Sequence, residues 1–331
     1  MPKSNKHIYA LDFLRGFSSI WITVAHFSCK NEGYLHNDDI LYVISIHGGM
    51  GVYIFFMISG FIIPYTLHHS GYHISEYPKF IIKRIIRLDP PYLFNIALIL
   101  FLNYFIYDMV GYSNAFKPDI LTVAYHIGYL NAFFDKPWLN PVFWTLAVEF
   151  QYYLILGAIF PLTAGRFWQF SAVFFALIFI NFISDYRVLF FSYSIFFAIG
   201  MLFFRLYNGM DNKYLTYILF FASLCAVYIK YSHVELITVA FTYALIFIIN
   251  LNYSYFKFWG DISYGVYLLH VPIGNKIVRF SQNYTSGVWQ RSGMILLSLA
   301  VTIGVAYITY LYIEKPFINY SKKIKYKKNI A

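Results

Sequence analysis

Apolar residues run along this chain in blocks of about twenty, separated by short polar turns, and within the blocks no face is reserved for water. Helices that are hydrophobic all round and of this length cross a bilayer, whose hydrocarbon core is ~30 Å thick. Ten blocks fit: 8–27, 41–65, 91–110, 142–162, 167–183, 188–204, 214–229, 234–251, 262–280 and 294–313. A further stretch, 120–134, is short and carries Tyr125, His126 and Asn131. Read as a re-entrant or surface segment, it leaves an even number of spans and puts both termini on one side. Lys3, Lys6, the cluster Lys79, Lys83, Arg84 and Arg87, and the basic tail 314–331 then share that side. Cytoplasmic loops carry the Lys and Arg excess, so both termini are expected to be cytoplasmic. If 120–134 spanned, the charge asymmetry would reverse after it. The predicted fold class is therefore all-α, a polytopic membrane helix bundle of about ten transmembrane helices forming one membrane-embedded domain.

Composition removes the competing classes. Of 331 residues, 60% are hydrophobic, 23% aromatic and 12% charged, with 33 Tyr and 36 Phe. A soluble domain is nearer 45–50% apolar and about 25% charged. A transmembrane β-barrel would alternate over segments of ~10 residues, which these blocks do not. Two cysteines cannot make a disulfide scaffold, and Cys29 and Cys225 are not expected to pair. The net charge of +10 sits beside the spans, where it sets topology and favours anionic membrane lipids. It is not read as a nucleic-acid signal. The first block is not a cleaved leader either, because it is long, lacks a small-x-small site and contains Asp12, Arg15 and His26.

Ionisable residues inside spans are costly and are therefore functional candidates. Arg15 and His26 are eleven residues apart, about three helical turns, so they share one face ~16 Å apart along the axis. That face presents a fixed cation toward the cytoplasm and a titratable imidazole toward the outer side. The plainer reading pairs Arg15 with Asp12 and leaves His26 as an interfacial hydrogen-bonding residue. Glu149 enters a span from the outer side, and His270 sits mid-span above Tyr264 and Tyr267. Gly48, Gly49, Gly51, Ser59 and Gly60 give the second span a small-residue surface suited to close helix approach. Glu314 and Lys315, before Pro316, read as a helix-end cap. No set of metal ligands is apparent.

Several stretches occur in a fixed order: LDFLRGFSSIWITVAH (11–26), GVYIFFMISGF (51–61), RIIRLDPPY (84–92), FWTLAVEFQYY (143–153), ISYGVYLLH (262–270) and EKPF (314–317). On ten spans, this ordered set closely resembles the family-three membrane acyltransferases, bacterial proteins that O-acetylate sugars of the cell envelope. The resemblance covers essentially the whole chain and implies a multi-pass protein of the bacterial inner membrane. It implies acetyl-CoA, or another acyl-CoA, as a co-substrate rather than a resident cofactor. The acceptor it implies is a hydroxyl of a lipid-linked or surface polysaccharide such as an O-antigen.

On this resemblance His26 matches the family's essential histidine. A sugar hydroxyl is a weak nucleophile until its proton is accepted, and imidazole titrates in the physiological range. His26 is thus the expected general base, with a covalent acetyl-histidine as the alternative. Glu149 would orient that imidazole, as the acid does in a triad. Arg84 and Arg87 resemble the family's paired arginines associated with acyl-CoA, and with Arg15 they would hold its phosphates. Ser59, His47 and His270 are expected nearer the substrate. Only 18 residues follow Ile313, so a fused extracytoplasmic hydrolase-like domain is not expected. Either the acceptor is modified directly or a separate extracytoplasmic partner completes the transfer. The competing class is a transporter of a sugar or anion, which could use the same Arg, His and Glu. Transporters often carry inverted repeats, and none is visible here.

Overall fold

With no water in a bilayer core, each backbone N–H and C=O must bond within its own segment, and apolar blocks of this length do so as helices. The computed structural model describes residues 7–31, 33–110, 118–184, 186 and 189–326. Lys3, Lys6, Val188 at the start of the sixth expected span and residues 327–331 of the basic tail lie outside the described residues. In chain order the helices are α1 (Tyr9–Cys29), α2 (Ile40–Ser45), α3 (Gly51–His69), α4 (Tyr77–Val110), α5 (Ile120–Ile127), α6 (Phe143–Thr163) and α7 (Phe167–Ile183). They continue with α8 (Ser194–Asn208), α9 (Lys213–Lys230), α10 (His233–Phe247), α11 (Phe256–Leu269), α12 (Lys276–Ser281), α13 (Val288–Thr309) and α14 (Lys315–Lys323). Among the described residues there is no strand.

Three junctions join neighbouring helices into longer rods. A tight turn at Gly48–Met50 links α2 to α3, and π-helical turns at His270–Asn275 and Tyr310–Glu314 link α11 to α12 and α13 to α14. Among the described residues, six segments are long and apolar enough to cross a membrane: Ile40–His69, Ile74–Phe105, Phe143–Thr163, Phe190–Asn208, Lys213–Lys230 and Val288–Lys323. Phe167–Ile183 and His233–Phe247 are shorter apolar helices. The remaining expected spans, 8–27 and 262–280, lie on α1 and on the α11–α12 rod; these rods carry Asp12, Arg15, Asp261 and His270 and bury one another in the most extensive helix contact of the bundle.

Two expected boundaries move. The third span begins well before 91, because α4 runs unbroken from Tyr77 through Pro90 and Pro91, so Arg84 and Arg87 project from a helix. The segment 120–134 is the eight-residue α5 followed by a short turn, Asn131–Phe134. At 1.5 Å per residue α5 is only ~12 Å long and does not span. Asp119 caps it by accepting from Thr122 N at 2.5 Å, which holds that exposed carboxyl below the usual carboxylate range. Its fully buried His126 is used structurally, with Nδ1 2.7 Å from Thr122 O and Nε2 accepting from Leu139 N at 3.1 Å.

The largest buried cluster lies between α3, α6, α7 and α8. There α3 and α8 cross at Gly60 and Gly200, whose Cα atoms make backbone contact. A Cβ on Gly200 would overlap the Met57 carbonyl oxygen, and one on Gly60 the Phe197 carbonyl oxygen. Beside this crossing, the fully buried Arg205 donates to Asp211 through two bonds of 2.6 Å and to the Thr163 carbonyl at 2.7 Å. It thereby ties the end of α8 to the α6–α7 and α8–α9 turns. Large apolar side chains such as Phe179, Ile218, Phe221 and Ile237 face outward, the surface a polytopic bundle offers to lipid.

Candidate active site

The start of α4 and the end of α14 lie on the same side of the bundle. Lys83, early in α4, lies 4.5 Å from the ring centre of Tyr326, just beyond α14. From this side a cavity reaches inward between α1, α3, α4, α6, α11 and the α13–α14 junction. About 1060 Å³ of space free of protein atoms lies within it when its open mouth is included. Val52 and Thr145 line its deep part and stand near the opposite ends of α3 and α6. The cavity therefore runs most of the way through the bundle.

Arg15, Arg84 and Arg87 all line it. Asp12 is bonded to His7 rather than Arg15, so the Asp12–Arg15 pair of the plainer reading does not form. Arg84 is buried against the rings of Phe80 and Tyr153, and its Nε has no hydrogen-bond partner. A buried donor without an acceptor costs about 1–3 kcal/mol, which is tolerable where an anionic ligand supplies the acceptor. Three carboxylates share the lining: Glu149, Asp261 and Glu314. Asp261 pairs with Lys257 and accepts from Tyr310 Oη at 3.0 Å. Glu314 is not an end cap. It closes the π-helical turn, is buried, and has an unpartnered Oε1.

Glu149 does not orient His26. Its carboxylate accepts from Ser59 Oγ at 2.6 Å and from the Tyr153 hydroxyl, one turn along α6. This places Glu149 and Ser59 in the arginine-lined cavity. His47 is not in the site either, being exposed in the turn between α2 and α3. His26 and His270 do not line the cavity but meet each other behind it, ring centres 4.8 Å apart and planes at 75°. Tyr267 lies between the two regions. It lines the cavity, its hydroxyl is 2.7 Å from Thr145 Oγ1, and its ring centre is 5.9 Å from that of His270.

A profile of an acyltransferase domain, the third family of that name, matches residues 8–311. The chain belongs to the family-three membrane acyltransferases. It is 26% identical over 184 residues to "O-acetyltransferase OatA" of Staphylococcus aureus strain NCTC 8325, covering 50% of this chain and 26% of that protein. It is 30% identical over 141 residues to an uncharacterised protein of Haemophilus influenzae, covering 39% of this chain and 56% of that one. The chain thus spans about a quarter of the first of these relatives. No solved structure matches it.

The family's motifs acquire positions from the fold. Pro272 lacks an N–H, so the Leu268 carbonyl four residues before it loses its helical donor. Asn95 and Asn140 replace that donor, at 3.1 and 3.0 Å, and the released turn is the π-helical one that begins at His270. Spacing along the sequence gives no role to Asn95, Asn140, Tyr153 or Asp261, and it marks Glu314 only as a helix-end cap. A signal was present for the π-helical turns: His270 and Glu314 each stand two residues before a proline.

Proposed function

We propose that this membrane protein is an O-acyltransferase that takes an acetyl group from cytoplasmic acetyl-CoA and delivers it to a hydroxyl of a cell-envelope sugar. One observation carries the reading. Three guanidinium groups, Arg15, Arg84 and Arg87, line a cavity whose deep wall is Tyr267, and His270 and His26 stand behind that wall. Guanidinium groups bind phosphate through charge-assisted, bidentate bonds, so the coenzyme's phosphates would sit near the terminus side. The pantetheine arm would follow the cavity between Ser59 and Tyr264 toward Tyr267. Glu149, held by Ser59 and Tyr153, would offer an acceptor for an amide N–H of that arm.

In the reaction, His26 takes the proton of the acceptor hydroxyl as its oxygen attacks the thioester carbonyl. The carbon–sulfur bond breaks and the proton passes to the departing thiolate. The termini are assigned to the cytoplasm and the His26 end to the outer face of the bacterial inner membrane. The acceptor there is a lipid-linked or surface polysaccharide, modified directly or with a separate partner.

Membranes containing the chain, labelled acetyl-CoA and an envelope polysaccharide fraction test this. The expected result is base-labile label in the polysaccharide with wild type and none with His26→Ala at equal expression. Sugar uptake without acetyl-CoA consumption would support a transporter instead.

A further inference from the structure

One nitrogen of His270 is accounted for and the other is not. Nδ1 lies 2.7 Å from the Tyr267 carbonyl oxygen. A carbonyl only accepts, so Nδ1 carries the hydrogen and Nε2 the lone pair. The side chain is 0% exposed and Nε2 has no partner. The ring of His26, on α1, stands edge-on against it at 4.8 Å. Among the described residues, His26 has no ring hydrogen bond, and the Glu149 carboxylate is engaged elsewhere, by Ser59 and Tyr153. His270 keeps its place because Asn95 and Asn140 stabilise the opened turn from which it projects.

We infer that His270 is the positioning partner of His26, its Nε2 accepting a hydrogen bond from one His26 nitrogen and so leaving the other unprotonated to act as the base. This rests on the acyl-transfer reading above. The two rings are in contact, centres 4.8 Å apart at 75°, so the bond requires only that the His26 ring turn its N–H toward Nε2. When His26 takes the hydroxyl proton, the new imidazolium keeps its bond to His270. It then releases that same proton to the thiolate, so His270 gains and loses none. A neutral imidazole suits this depth, where an unpaired carboxylate would be costly. The pair does the work that Asp and His share in a triad, with an uncharged orienting group.

The test compares His270→Phe, which keeps a ring but no acceptor, with His270→Gln, which restores an acceptor oxygen, both in the full chain. The expected result is a kcat lower by about 10- to 100-fold in His270→Phe, an unchanged KM for acetyl-CoA, and recovery of most of the rate in His270→Gln. Wild-type kcat in His270→Phe overturns the inference while His26→Ala stays inactive. Full activity in His26→Ala overturns the base assignment itself. Should His270→Phe fail to accumulate, nitrogen NMR of ¹⁵N-histidine-labelled wild type decides. A His26 N–H bonded to an unprotonated His270 nitrogen, with the His270 resonance moving in His26→Ala, is expected. A His270 resonance indifferent to His26→Ala overturns it.

Discussion

The Tyr267 hydroxyl lies 2.7 Å from Thr145 Oγ1, and this bond joins α11 to α6 where the arginine-lined cavity and the histidine pair share a wall. The ring of Tyr267 touches both regions. Tyr267→Phe removes the hydroxyl's contacts with Thr145 Oγ1 and the Val142 carbonyl and should lower stability by about 1–2 kcal/mol, measured by thermal unfolding in detergent. Tyr267→Ala removes the wall. Its acetyl-CoA binding should persist while kcat falls, and an unchanged kcat would show that the wall does not guide the thioester.

Arg84 is the most buried of the three cavity arginines, and its Nε lacks an acceptor. Arg84→Ala should weaken acetyl-CoA binding by at least about tenfold, the scale of one charge-assisted bond. Arg84→Lys should not restore it, because an ammonium lacks the planar fork. Titration of purified protein with the coenzyme checks both, and wild-type affinity in Arg84→Ala would remove this residue from phosphate binding.

The α3–α8 crossing has no room for a methyl group. Gly200→Ala drives a Cβ into the Met57 carbonyl, and the two backbones must separate at a cost of roughly 1–3 kcal/mol or more. Lower accumulation and earlier melting of the protein are expected, with Gly60→Ala behaving alike. A Gly200→Ala protein as stable as wild type would mean that the crossing is looser than described.

Asp211→Ala leaves the fully buried Arg205 guanidinium without its counter-ion. Breaking one partner of such a pair costs about 3–5 kcal/mol. The folded fraction should drop while turnover per folded molecule holds, because neither residue lines the cavity. Activity normalised to folded protein, measured by size-exclusion of the detergent extract, separates the two effects.

Hydrophobic block length made the helices readable, and eleven-residue spacing placed Arg15 and His26 on α1. What spacing along one helix does not give is rotation against the next. Glu149 and His26 both lie toward the same end of the bundle, yet Glu149 faces Ser59 and Tyr153 while His26 faces His270. His47 was legible as near a helix end but not as exposed. Glu314 read as a cap because a proline follows it closely. The same proline pattern accompanies a π-helical turn, which rotates a polar side chain inward instead.

The walls of the cavity come from distant parts of the chain. Arg15, Arg84 and Arg87 belong to its first third, and Tyr267 and Glu314 to its last. Since domains form from the N-terminal end as the ribosome proceeds, the cations enter the membrane long before the residues that enclose them exist. A nascent chain arrested before α11 has the arginines and His26 but neither the deep wall nor His270. Assembly of the site must therefore await translation of the last two rods, and an intermediate short of that point holds its guanidinium groups without Glu314 or Asp261 beside them.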